Sequence, residues 1–281
     1  MGETFKGSEA VASGKLTEWE LRRWHRRLFR DVYVQRWQEV TVRERTVGAW
    51  LWSKRKAVIS GVAASALHGA EWVDAYVPIE LVMDCSRPPH GIIARDETLF
   101  DDEVIPVAGL PVTTAARTAF DVGRHLRRGE ALARLDALMR ANPYSIEDVM
   151  LIAKRHRGAR GLPQLRKLLP LVDGGAASPP ETRLRLLFID AGFPRPTTQI
   201  PVYDSGELVA VLDMGWEDFM VSAEYDGEHH QSNRQQYTKD QRRSRVVAKM
   251  GWLNNPVIKE DRDDDTIRRV YEAMTSRGWM P

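Results

Sequence analysis

The chain has 281 residues, 43% hydrophobic and 28% charged, which excludes a disordered or fibrous polymer and is long enough for two domains with separate cores. Its formal net charge of +2 identifies no partner by itself. A single cysteine, Cys85, excludes an intramolecular disulfide and a cysteine-built zinc site, and no run approaches the ~18 uninterrupted apolar residues of a membrane span.

The cysteine usage and the lack of a basic-then-apolar leader pattern point to a reducing cytoplasm. Residues 1–14, polar and rich in Gly, Ala and Ser, are expected as a flexible N-terminus. From Thr17 onward Leu21, Trp24, Leu28 and Phe29 recur at helical spacing among arginines, and Val32-Tyr33-Val34 is strand-prone. Helices are predicted over Thr41–Trp52 and Ser60–His68, with Ser60 as N-cap and Gly69 as the stop. Strand-like segments follow at Tyr76–Met83 and Gly91–Ala94, then a Gly-Leu-Pro turn at 109–111. Helical patterns return at Thr114–Val122, Arg128–Arg140, Ser145–Ala153 and Leu162–Leu171. Residues 15–172 thus read as one α/β module.

Asp173–Pro180 combines glycines with two prolines and predicts a linker between domains. The second domain, 178–281, opens with Ser178-Pro-Pro-Glu181 and a helix whose Leu184, Leu187, Phe188 and Ala191 form one stripe, ended by Gly192. Thr197–Tyr203 reads as a strand, Leu208–Trp216 and Phe219–Asp226 as hairpin arms, Gln235–Met250 as a basic helix, and Thr266–Arg277 as a closing helix. Two stretches are basic: 16–56, with eleven Lys/Arg against five Asp/Glu, and 234–249, with six against one. Both a polyanionic ligand and a pair of solvated helix faces fit them.

The hairpin carries the chemistry. If it turns at Glu217-Asp218, Asp213 lies opposite Ser222, and Ser222, Glu224 and Asp226 project from the same face as Asp213. Asp213 would then sit diagonal to Glu224, about 7–8 Å away at backbone level. Carboxylates of that reach can converge on a hard divalent cation, which would relieve their repulsion. Glu181 fits two roles, N-terminal cap or additional ligand. His230 fits proton exchange or a structural hydrogen bond.

Residues 178–278, with Glu181, Gln199, Asp213, Glu224-Tyr-Asp226-Gly-Glu-His-His230, then Tyr237, Asp240, Arg243, Gly251-Trp252 and Lys259-Glu-Asp-Arg262, resemble the PD-(D/E)XK nuclease superfamily, in particular its very-short-patch-repair-like branch. That resemblance implies a restriction-endonuclease-like mixed sheet flanked by helices. It implies Asp213 and Glu224 as ligands of Mg²⁺ or Mn²⁺, with Glu181 beside them. Asp226 and His230 would complete the catalytic set, Gln199, Tyr237 and Asp240 would orient it, and Arg243, one turn from Asp240, would pair with that residue or orient the site with it. Arg234, Lys239, Arg242, Arg243 and Arg245 would hold the DNA backbone. Two departures stand out. Asp226 occupies the position of the superfamily's lysine, as is common in the branch, and Leu253-Asn-Asn-Pro-Val257 replaces an apolar strand bearing a basic residue. The latter predicts a closing strand that is shortened or displaced to an edge, with activity impaired.

Thr17–Leu171 resembles AbiE-type antitoxin proteins through Leu-Thr-Glu-Trp-Glu-Leu-Arg-Arg, Arg-Asp-Val-Tyr-Val34, Ile59-Ser-Gly-Val-Ala-Ala-Ser-Ala-Leu-His-Gly69 and Gly109-Leu-Pro-Val-Thr-Thr114. The resemblance implies a mixed α/β antitoxin-like module behind a winged-helix segment, here truncated, with one clear helix before Val32. Arg22, Arg23, Arg26 and Arg27 fit phosphate contacts or a solvated face. Together these expectations describe a cytoplasmic α/β protein that hydrolyses phosphodiester bonds in DNA with a divalent metal. Its setting would be repair, phage defence or a toxin–antitoxin system with a protein partner. The alternative is a non-catalytic DNA-binding transcriptional regulator or antitoxin-like protein that keeps the nuclease fold.

Overall fold

In the computed structural model, which describes residues 3–227 and 243–281, the chain divides into the units Met1–Val172 and Asp173–Pro281. Both are mixed α/β. Among the described residues no helix is long and apolar enough to cross a membrane.

The first unit starts with β1 (Phe5–Lys6), α1 (Gly7–Ala12), α2 (Glu18–Trp24), β2 (His25–Phe29) and β3 (Val32–Gln35). Within the N-terminus expected to be flexible, residues 5–12 therefore form a strand and a helix. β1 pairs with β3, Ser8 donates from its backbone N–H and hydroxyl to Asp31, and Glu9 accepts two hydrogen bonds from Arg55, each 2.7 Å. Two helices, not one, precede Val32. Thr17 closes a capping box with Glu20 and starts α2, but the helix stops at Trp24. Leu28 and Phe29, which continue its spacing, belong to an antiparallel hairpin that turns at Asp31 in the left-handed region. Tertiary pairing overrides the local period there.

α3 (Val42–Trp52), β4 (Val58–Ser60), α4 (Gly61–Leu67), β5 (Ile79–Val82), β6 (Ile92–Arg95), β7 (Val104–Val107) and β8 (Leu110–Thr113) lead to four helices. These are α5 (Ala115–His125), α6 (Arg128–Ala141), α7 (Ile146–Arg155) and α8 (Leu162–Leu168). The five strands form a mixed sheet in the order β6-β5-β4-β8-β7. Ile59, Ile79, Leu81, Ile92 and Val112 of the sheet and Ala49, Leu51, Ala63 and Ala64 of the helices share its core. Leu110-Pro111, expected in a turn, lies in β8, and the turn itself is Ala108-Gly109, both with positive φ.

A charge network is sealed inside this unit. Arg117, on α5, is fully buried and donates to Glu103, to Asp121 at 3.1 Å, to Glu97 at 3.0 Å and to the Thr98 carbonyl at 3.1 Å. Arg124, one to two turns on, bonds Asp121 at 2.9 Å and Glu97. His156, which caps the C-terminus of α7, lies 3.0 Å from Glu103. Burial alone would raise the Glu97 carboxyl, but hydrogen bonds and charge from His125 and Arg124 bring it down to about 2.

The second unit comprises α9 (Pro179–Asp190), β9 (Thr197–Asp204), β10 (Glu207–Trp216), β11 (Val221–Asp226), a helical run over 243–249 (α10), β12 (Leu253–Ile258) and α11 (Asp263–Ser276). The sheet order is β12-β11-β10-β9, with β9, β10 and β11 antiparallel and β12 parallel to β11. Leu184 and Phe188 of α9 and Val270 and Met274 of α11 pack with Met214, Trp216, Val221, Ala223 and Val257. Val247 and Trp252 cover Ile200, Val202, Ala210 and Leu212.

Residues 173–180, expected as a flexible linker, are tied into this unit. Asp173 accepts from the Thr198 hydroxyl at 3.1 Å and from the Gly175 N–H at 2.9 Å, and Ala176 is 3% exposed. Limited proteolysis is accordingly expected to spare 173–180, because a protease needs an extended, exposed chain. Early cutting at Ala176, read by mass spectrometry, would show that this turn opens in solution.

Candidate functional site

Ser178 caps α9 by accepting the Glu181 N–H, and Pro179 and Pro180 fill the first helical positions, where no N–H is needed. Glu181 folds back onto this start. Its carboxylate accepts from the Ser178 hydroxyl at 2.8 Å and from the Ala177 N–H at 2.9 Å, one residue before the N-cap, so it braces the helix start without closing a capping box on the Ser178 amide. The amide of Gln199 reaches the same carboxylate at 3.5 Å. Gln199 itself has φ +53, a left-handed residue inside β9. Such backbone costs about 1–3 kcal/mol and persists where surroundings impose it.

The hairpin register differs from expectation by two residues. A 3-10 turn at Glu217–Phe219 and a left-handed Met220 lengthen the connection, so Met214 pairs with Ala223 and Gly215 with Ser222. Continued one step, this ladder sets Asp213 directly opposite Glu224 rather than opposite Ser222. Directly opposed residues share a face with Cβ atoms about 4.5–5.5 Å apart, closer than the diagonal expected from sequence. The β9–β10 pairing (Met214 with Thr198, Leu212 with Ile200) puts Gln199 level with Asp213 on the other side. Gln199, Asp213 and Glu224 thus form a row across three strands.

Asp213 accepts the Tyr225 N–H at 2.9 Å. Burial, reinforced by the nearby Glu181 charge, pushes its carboxyl up to about 6, against the Tyr225 hydrogen bond and the Arg243 charge. Glu224 is also raised, first by burial and then by Asp213, with Arg243 and Asn254 opposing. Arg243 of α10 grips Glu224 with both terminal nitrogens, at 2.7 and 3.2 Å, and donates to the Val211 carbonyl at 2.6 Å. Asn254 donates to Glu224 at 2.9 Å and accepts from the Ser222 hydroxyl at 3.0 Å. A cavity of about 670 Å³ opens over these groups, lined among others by Asp213, Glu224, Asp226, Arg243, Trp252 and Asn254.

Several expectations change. Asp226 is exposed at the end of β11, and among the described residues no group of three or more His, Cys, Asp or Glu is arranged around an ion. The acidic face is therefore a pair plus a neighbour, not a cage of Asp213, Glu224 and Asp226. Arg243, expected on the DNA backbone, paired with Asp240 or orienting the site, is bound to Glu224, while Arg245 is exposed. β12 is a full six-residue strand despite Asn254-Asn255-Pro256, and it does lie at the sheet edge. His230, Arg234, Tyr237, Lys239, Asp240 and Arg242 lie outside the described residues. The sequence places Ser222 on the face of Asp213 and Glu224 but does not reveal that Ser222 and Asn254 together hold Glu224. The period-two count from Glu224 marks Ser222, and only the parallel pairing of Ser222 with Asn254 brings the amide in.

In the first unit Arg22, Arg23, Arg26 and Arg27 are exposed. Arg22 pairs with Glu18, and Arg26 donates to the Gln38 carbonyl. Arg23 lies 5.4 Å over Trp24, one of three exposed tryptophans in edge contact, with Trp19 and Trp37.

Residues 56–171 match the family model described as the AbiEi antitoxin C-terminal domain, which shows the antitoxin-like character of that stretch. Two uncharacterized proteins of Mycobacterium tuberculosis, from the Oshkosh and H37Rv strains, are each 34% identical to the chain over 175 residues. The match covers 62% of this chain and 64% of each relative, so the chain spans less than two thirds of their length. No solved structure matches it.

Proposed function

We propose that the second unit is a nuclease-type module that hydrolyses phosphodiester bonds in DNA with Mg²⁺ or Mn²⁺, joined to an antitoxin-like module in a toxin–antitoxin or related defence or repair system. The observation that carries this is the face-to-face pair Asp213 and Glu224 beneath an open cavity, both raised first by burial, with the Glu181 charge adding to the shift of Asp213 and the Asp213 charge to that of Glu224. Acids in a cleft whose ionisation is perturbed by desolvation and by specific charged neighbours are a recurrent mark of a working site. The donor set fits, since Mg²⁺ takes one or two carboxylates and completes its shell with water and substrate phosphate.

Asp213 and Glu224 would hold the ion. When bound, it would polarise the phosphate and help generate hydroxide. The Tyr225 amide fixes the Asp213 carboxylate, and Asn254, itself set by Ser222, fixes that of Glu224. Asp226 supplies no cationic hydrogen bond, and among the described residues the positive charge on the Glu224 carboxylate is Arg243. Arg245 is exposed to meet the backbone, and His230 is assigned proton exchange with the attacking water or leaving oxygen.

Incubation of the full chain with supercoiled and single-stranded DNA is expected to give nicks with Mg²⁺ or Mn²⁺ and none with EDTA. Binding should weaken with salt by a slope of about −0.9 per phosphate contact, and Arg245→Ala should flatten it by about one such unit. A second reading, a DNA-binding antitoxin-like protein that does not cut, is favoured by the engagement of Glu224 with Arg243 and by the family match over 56–171. Salt-sensitive binding without metal-dependent nicks would establish it in place of the first.

A further inference from the structure

Glu224 is crowded with donors. An ionised carboxylate has about four lone-pair sites, and three are filled: one on Oε1 by Arg243 at 2.7 Å, and two on Oε2 by Arg243 at 3.2 Å and Asn254 at 2.9 Å. A small hard cation such as Mg²⁺ needs a carboxylate oxygen at about 2.0–2.1 Å and brings two positive charges with it. A guanidinium on the same two oxygens opposes that sterically and by charge. The Arg243 side chain is 36% exposed, however, and has a second anchor, the Val211 carbonyl at 2.6 Å, which does not involve Glu224. It can leave the carboxylate without leaving the site. Asn254, a neutral donor held by Ser222, can stay.

We infer that Arg243 occupies the place on Glu224 that a divalent cation needs, so that cation binding requires the guanidinium to release at least one carboxylate oxygen and turns it toward a substrate phosphate. This rests on the metal-site reading above and deepens it. One side chain then does two things in sequence: it neutralises Glu224 while the cation is absent, and it supplies the cationic contact that Asp226 cannot make. Planar, always-charged guanidinium suits both, because carboxylate and phosphate present the same bidentate geometry to it.

The test is calorimetric titration of Mn²⁺ into the full chain without DNA, for the wild type, Arg243→Met and Arg243→Lys, with thermal melts to show that each is folded. Arg243→Met removes the competitor at similar length. Arg243→Lys keeps the charge but loses the two-pronged grip. Both are expected to bind Mn²⁺ more tightly, Arg243→Met by about tenfold, the size of one lost charged hydrogen bond. If Arg243→Met gains affinity and Arg243→Lys does not, distant charge alone is responsible and the inference is overturned. Equal affinity in all three overturns it as well, while leaving the metal site intact. Binding in none of the three removes the metal site itself, and the inference falls with it.

Discussion

Replacing Arg117 by methionine is expected to destabilise the N-terminal unit by about 3–5 kcal/mol, which for a unit of this size lowers its melting temperature by on the order of 10 °C. The reason is the company Arg117 keeps. Its guanidinium is completely buried, and so is Glu103, while Asp121 is only 2% exposed. Methionine fills similar volume but leaves both acids without their main cation in a place water does not reach. Removing one partner of a buried pair is far more damaging than never having buried the pair. Arg117→Lys should recover only part of the loss, because an ammonium cannot span Glu97, Glu103 and Asp121 as the fork does. Scanning calorimetry of the full chain measures this. A change below about 1 kcal/mol would mean that the acids find other partners or that the network is wet.

Asp213→Asn is expected to abolish Mn²⁺ binding and at the same time to stabilise the metal-free protein above neutral pH. In the fold this carboxyl sits at about 6 instead of its ordinary 3.8. Between those two values the folded chain holds a proton that the unfolded chain has lost. Stability therefore falls as pH rises from about 4 through about 6, and the full penalty, about 1–3 kcal/mol, stands above that window. Asparagine keeps an oxygen for the Tyr225 N–H but carries no charge, so the variant should be the more stable protein at pH 7.5 and no more stable below about pH 4. Urea melts at several pH values would reveal it, and a difference that does not vary with pH would rule out ionisation as the cause. Metal affinity should fall below about pH 6 for the same reason, since the ligand must be ionised.

Much of the second unit was legible because local chemistry and tertiary placement agree there. Ser178, the two prolines and Glu181 mark the start of α9, Gly192 marks its end, and Leu184, Leu187 and Phe188 of the stripe between them pack while Ala191 is exposed. The strands around Asp213 and Glu224 were legible from alternation, but their register was not. It is set by a 3-10 turn and a left-handed methionine that no residue type announces. Arg243 shows a different limit. A basic helix declares that charge is present, not which guanidinium turns inward onto a carboxylate. Asn254 and Asn255 look like poor strand material, yet parallel pairing with β11 holds them in place, and the supposed defect supplies a hydrogen bond to Glu224. In the first unit Leu21, Trp24 and Leu28 share a helical spacing across a boundary at His25, and only the hairpin partner β3 reveals the change.

The two outer strands of the second unit's sheet are β9 and β12, and each carries a proline, Pro201 and Pro256. An outer strand ordinarily offers a row of free backbone donors and acceptors, an invitation to any passing extended chain. A ring nitrogen without hydrogen interrupts that row, and Asn254 and Asn255 add little strand preference beside Pro256. The sheet is thus a poor template for growth in either direction. Aggregation by strand addition is discouraged along both borders of the described sheet.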